Sequence, residues 1–162
     1  MLSQTVDYAL RAMVYLSDQD STPRTSEQIA AVTCVPQAYL SKVMNSLSRA
    51  ELVRSQRGLH GGFALARPAD EITILDVVNA VEPLQRIREC PLGLKTHGAQ
   101  LCPLHRRLDH ALAMIEECFR DTTLSEILAE RSGSVPLCDV SLETRGVVDL
   151  KVPAGKHPAK RK

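Results

Sequence analysis

Residues 35–62, VPQAYLSKVMNSLSRAELVRSQRGLHGG, constrain the fold more than any other stretch. Leu40, Val43, Met44 and Leu47 recur at i, i+3, i+4 and i+7, the spacing of one apolar helical face. Pro36 suits the first turn, where the N–H it lacks has no partner anyway. Tyr39, Lys42, Asn45, Ser46 and Arg49 are left for the other faces. Residues 52–55 read as a short strand, 56–59 as a turn and 60–66 as the returning strand. A helix followed by a slender hairpin, or wing, is the expected unit.

Charge in this stretch is lopsided. Lys42, Arg49, Arg54 and Arg57 stand against one acid, Glu51, while the whole chain carries a net charge of only +1. A local positive patch on a near-neutral chain is the footprint of a duplex-binding element. A helix fits a major groove, and an arginine-tipped hairpin reaches a minor groove. Gly58, Gly61 and Gly62 suit a tight turn that approaches phosphates closely. The plainer alternative is a solvated helix and hairpin of an ordinary domain.

The chain's 162 residues fit one domain with an appendage. Apolar residues make up 44%, but there is no Trp, with three Tyr and two Phe, so the core must be mostly aliphatic. No apolar run is long enough to span a bilayer. Asp7 and Arg11 interrupt the N-terminal pattern, so a signal peptide is not expected and the cytoplasm is. Five cysteines, an odd number without a secreted framework, read as thiols or metal ligands.

Taken in order, residues 3–16 form a helix with Ser3 as N-cap and Val6, Ala9, Leu10, Met13 and Leu16 on one face. Thr25 or Ser26 caps a second helix to about Thr33, with Ile29, Ala30 and Val32 inward. Cys34 occupies the tight turn before the helix that begins near Pro36, which is a helix-turn-helix arrangement. After the wing, Thr73 or the residues just before it start a helix through Val81, ended by Pro83. Residues 84–103 show no clean period, and a segment that long usually has a functional reason. Residues 104–119 are the longest clear helix, with Leu104, Leu108, Ala111, Leu112, Ile115 and Phe119 on one face. Either this helix completes the core of one monomer or it joins two copies; a two-fold reader of DNA favours the second. Thr123 with Glu126 forms a capping box for a short last helix. Residues 132–162 lose all periodicity and end in Lys156, Lys160, Arg161 and Lys162, a basic tail.

Cys90, Cys102 and His105 are the candidates for chemistry, spaced C-x11-C-x2-H with His97 between. Thiolate and imidazole together suit zinc, iron or an iron–sulfur cluster. Unliganded thiols in a loop are the alternative. Cys34 and Cys118 read as structural, and Cys138 falls in the irregular tail. No catalytic constellation stands out, so an enzyme is not expected. Asp7 with Arg11 is a plain i, i+4 ion pair.

Three stretches resemble a known family: residues 7–17, DYALRAMVYLS; residues 35–82, with YLSKVMNSL, RGLHGGFALARP and EITILDVVNAVE; and the later cysteine segment. Together they cover about residues 1–131. The family is that of winged helix-turn-helix transcriptional regulators, which includes the iron–sulfur regulator IscR and the nitric-oxide-sensing repressor NsrR. The resemblance implies a homodimer held by the long helix, with two winged heads on palindromic double-stranded operator DNA. It implies that the helix of residues 36–49 reads the major groove and that Arg57 and Gly58 enter the minor groove. It also implies a 2Fe–2S cluster, with Cys90 matching the first cysteine, Cys102 the last, His105 the histidine, and Asp7 an aspartate that reaches the partner's cluster. Thr96 stands where the middle cysteine belongs, and His97 is a substitute ligand. Zinc, a thiol switch, or no cofactor at all are the alternatives this departure opens.

The expected fold is therefore mostly α with a small β-hairpin wing: a winged helix-turn-helix plus a long dimerisation helix. Its divisions are a DNA-binding head at 1–83, a cysteine-containing sensor loop at 84–103, dimerisation helices at 104–131 and a flexible tail at 132–162. The expected function is a sequence-specific transcriptional regulator, of repressor type, with a redox- or nitric-oxide-responsive cluster. A metal-free thiol-switch or ligand-independent repressor is the alternative, and a redox or metal-storage protein a further one. Lys42, Arg49 and Arg54 are expected on phosphates, and Gln37, Tyr39 and Ser41 near base edges.

Overall fold

The computed structural model describes residues 2–19, 21–58, 61–90 and 101–130. The expectations for Thr96, His97, Cys138 and the tail at 132–162 lie outside the described residues.

Six helices and one hairpin make up the described fold. α1 spans Gln4–Ser17, α2 Ser26–Thr33, α3 Gln37–Arg49, α4 Ile74–Val81, α5 Pro103–Asp121 and α6 Leu124–Ala129. Strands β1, Val53–Gln56, and β2, Gly62–Leu65, pair antiparallel with Val53 opposite Leu65. A single 3-10 turn at Ala69–Glu71 leads from the wing towards α4. The fold is the mostly helical, winged one that the sequence implies.

Local chemistry sets most of the boundaries. Ser3 caps α1 by accepting from the Val6 N–H, and its own hydroxyl donates to the Glu82 carboxylate just past α4. Thr25 and Gln28 close a capping box on α2, Thr73 and Asp76 one on α4, and Thr123 and Glu126 one on α6. Each box satisfies two N–H groups that a helix start would otherwise leave open. Cys34 ends α2 in the left-handed region at φ 55°, which allows α3 to follow at once.

The core lies where α1, α3 and α4 meet. Ala9, Ala12 and Met13 of α1, Leu40, Met44 and Leu47 of α3, and Val77 of α4 are all fully buried. α2 contributes Ile29 and Thr33; Val32, expected inward, is half-buried. The buried Thr33 hydroxyl is satisfied by the Ile29 carbonyl at 2.7 Å, so its burial leaves no polar group open.

α5 behaves differently. None of its side chains is fully buried, and Leu104, Leu108, Met114 and Ile115 are exposed, Leu104 at 62%. Its C-terminal end is tied back to the core. The Ile74 N–H donates to the Thr122 carbonyl and the Leu124 N–H to the Ile72 carbonyl, both at 2.9 Å. Leu124, first residue of α6, is then completely buried against the α1 side of the head.

Candidate nucleic-acid interface and cysteine segment

α3 divides cleanly into two faces. Leu40, Val43, Met44 and Leu47 point into the core, while Gln37, Tyr39, Ser41, Lys42, Asn45 and Arg49 are exposed. Fixing four apolar anchors on one side leaves the polar stripe rigidly presented on the other. Tyr39 is 57% exposed, yet its ring meets Tyr8 of α1 edge-on, with centroids 6.0 Å apart. That contact holds an aromatic edge at the start of α3. Asn45 is one turn beyond Ser41 on the same exposed stripe, a residue the sequence reading left out of the site although the i, i+4 spacing from Ser41 pointed to it.

The wing is built on a close backbone packing. Arg24 exchanges two backbone hydrogen bonds with Phe63, at 2.9 and 2.8 Å, so the residue just ahead of the Thr25 cap of α2 bridges to the wing. Gly62 sits against it. A Cβ at Gly62 would lie 2.4 Å from the Arg24 carbonyl oxygen, and the backbone there has φ +156°. At the tip, Gly58 adopts φ +115° and its carbonyl accepts from the Gly61 N–H at 2.9 Å. Arg54 and Arg57 are exposed on this hairpin.

Cys102 is the residue immediately before α5 and His105 lies one turn into it. The Cys102 Sγ is 3.3 Å from the His105 Nδ1, and both are half-buried. Asp7 lies on α1, where its carboxylate is closed on Arg11 at 2.7 Å, and Arg11 also reaches the Thr33 carbonyl at 3.5 Å. Cys90 is half-buried; Cys34 and Cys118, expected as structural, are both exposed. Among the described residues no three of His, Cys, Asp and Glu gather closely enough to hold a metal ion. A 2Fe–2S cluster takes four protein ligands. Cys102 and His105 are one donor pair brought into contact among the described residues.

The segment leading to Cys90 is held by a feature with no local signal in the sequence. Arg86 forks onto Asp109 of α5 at 2.7 and 2.6 Å and reaches Glu116 at 3.2 Å. The Ile87 N–H donates to the same Asp109 carboxylate at 2.9 Å, and Arg120 holds the other oxygen of Glu116 at 2.7 Å. Hydrogen bonds from Arg86, helped by the Ile87 N–H, hold the Asp109 carboxyl below the usual carboxylate range. Asp109 and then Glu116 raise the Arg86 guanidinium in turn.

A helix-turn-helix with a basic wing and a long appended helix defines a DNA-binding transcriptional regulator. Residues 2–130 match the Rrf2 model, described as an iron-dependent transcriptional regulator, and the chain belongs to that family. A relative from Aquifex aeolicus, assigned by its name to the HTH-type transcriptional regulators, is 31% identical over 131 residues, covering 79% of this chain and 91% of the relative. The structure of CymR, the global cysteine regulator of B. subtilis, is similar at 25% identity and a TM-score of 0.67, over 80% of this chain and 96% of that one. T. potens IscR shares the fold at 24% identity and a TM-score of 0.68, over 83% of this chain and 92% of that one. No helix among the described residues is long and apolar enough to cross a membrane.

Proposed function

We propose that this protein is a homodimeric repressor that binds an operator without needing an iron–sulfur cluster. The observation that carries the DNA reading is the division of α3, whose four buried anchors hold Gln37, Ser41, Lys42 and Asn45 outward beside the wing. Lys42, Arg49 and Arg54 contact phosphates, Gln37, Tyr39 and Ser41 lie near base edges, and Arg57 with Gly58 enters the minor groove. The exposed apolar side of α5 meets its copy in a second chain, which places two heads on one two-fold site. The working place of such a protein is the cytoplasm, with the DNA.

The metal-independent part rests on the donor set. Thr96 replaces the middle cysteine of the cluster-binding pattern, and among the described residues no three donors gather to hold a metal ion. Likeness alone does not choose a cofactor, since it extends both to an IscR and to a regulator named for cysteine. The Cys102–His105 pair leaves two uses open, a thiol switch or no sensing at all.

One observation favours a second reading. Cys102 and His105 adjoin at the start of α5, in a family described as iron-dependent. In that reading Cys90, Cys102, His105 and Asp7, or His97 in place of one, hold a 2Fe–2S cluster or zinc. A redox or metal-storage role has only the cysteine segment in its favour.

The experiment joins both questions. Protein purified without air is analysed for iron, sulfide and zinc, and is then used to select duplexes from a random library with and without chelator. Selection of a palindrome that survives chelation supports the proposal. About two iron and two sulfide per chain, with binding lost on chelation, overturns the metal-independent part. Failure to enrich any sequence overturns the operator reading.

A further inference from the structure

α5 is mounted on the head at two places. Near its C-terminal end, backbone hydrogen bonds tie Thr122 and Leu124 to Ile74 and Ile72. Nearer its N-terminal end, the Arg86 guanidinium and the Ile87 N–H tie Asp109 to the segment that leaves α4, and Arg86 also reaches Glu116 further along the helix. Asp109 and Thr122 are thirteen positions apart, about 20 Å along a helix. Two mounts at that separation fix the direction of a rod, whereas one leaves it a pivot. No α5 side chain is fully buried, so the polar mount carries a larger share of its positioning than it would for a core helix.

We propose that Arg86 is a positioning residue for operator recognition: by locking Asp109 and Glu116 it sets the cant of α5 on the head and so the spacing of the two recognition helices. The proposal rests on the dimer reading above. Arg86 suits the role because a guanidinium is a planar fork that holds a carboxylate with two parallel bonds, which a lysine does not. The geometry here is bidentate on Asp109, with one further bond to Glu116. Asp109 and Glu116 are two helical turns apart on one stripe, so a single side chain spans both. The effect is large enough to matter. A swing of about 10° over roughly 20 Å moves the free end about 3.5 Å, close to one base-pair step.

The test uses the full chain, with Arg86→Gln and Asp109→Asn as variants. Hydrogen exchange by mass spectrometry follows peptides covering residues 84–90, with those covering 37–49 as a control for folding. In parallel, each protein selects duplexes from a random library, and the separation of the two half-sites is read by sequencing. The expected result is exchange at 84–90 faster by at least about tenfold in both variants, with 37–49 unchanged. The parent should select one half-site separation and Arg86→Gln a spread of several. A second outcome overturns the inference: faster exchange in the variant with the parent's single separation retained, which would make the lock local only. Unchanged exchange overturns it as well. If the parent itself enriches isolated half-sites, the dimer reading falls and this inference falls with it.

Discussion

Arg24 and Phe63 are joined through their backbones in both directions, which ties the chain entering α2, just ahead of its Thr25 cap, to the wing. The helix-turn-helix and the wing are thus one rigid piece rather than two neighbours. Gly62 is the residue that lets them meet. Gly62→Ala should displace Arg24 or β2, since the new methyl would meet a backbone carbonyl at 2.4 Å. The expected loss is about 1–3 kcal/mol, as for other forced overpacking. Chemical denaturation checks it, and operator affinity should fall further than stability alone explains.

Arg57→Ala should leave the melting temperature within a degree or two of the parent, because Arg57 is exposed. Affinity for a selected operator should fall about tenfold, most where the minor groove is narrow. Fluorescence anisotropy on operators with and without an A-tract beneath the wing measures this. Equal affinities would remove the wing from the interface.

Leu47→Ala tests the other side of α3. Leu47 is completely buried in the core, so removing three carbons should destabilise the head by about 2–5 kcal/mol. Lys42→Ala, on the exposed side, should leave stability unchanged and lower the salt dependence of DNA binding by about one unit of slope. If the two substitutions behaved alike, the assignment of faces on α3 would be wrong.

The Arg86–Asp109 fork has a defined pH window. Asp109 is held below its ordinary value, first by Arg86 and then by the Ile87 N–H. A carboxylate with a depressed folded-state value adds stability that is fully present above its unfolded value, near 4. That contribution disappears as pH falls through the lower folded value. Intrinsic-rate-corrected exchange at residues 84–90 should therefore stay constant between pH 8 and 5 and accelerate only under more acid conditions. Acceleration already at pH 6 would point to a histidine instead.

Much of the fold could be read from spacing and caps, because these are local. Ser3, Thr25, Thr73 and Thr123 each cap the helix that begins beside them, and Leu40 to Leu47 declare the buried face of α3 within a single turn pair. What could not be read depends on distant partners. Arg86 meets Asp109 across 23 positions, and nothing in either neighbourhood distinguishes them from other surface charges. Arg24 joins the wing through one residue, too short to leave a period. The exposed basic residues of α3 and the wing were legible as a class, through local charge, whereas Asn45 carries no such signal because a neutral polar side chain on an exposed stripe looks like ordinary surface. The Cys102–His105 contact followed from one helical turn of spacing, whereas the placement of Cys90 depends on how 84–90 returns to α5.

On the dimer proposed above, the exposed apolar side chains of α5 would tie abundance to competence. If α5 completes its burial against a second copy, as proposed, the chain's own concentration enters its folding equilibrium. Diluted protein should melt at a lower temperature than concentrated protein, and heterologous copies mixed at low concentration should exchange partners. In a cell, scarce copies of such a regulator would be fewer readers than their number suggests, and rising synthesis would restore repression more steeply than in proportion.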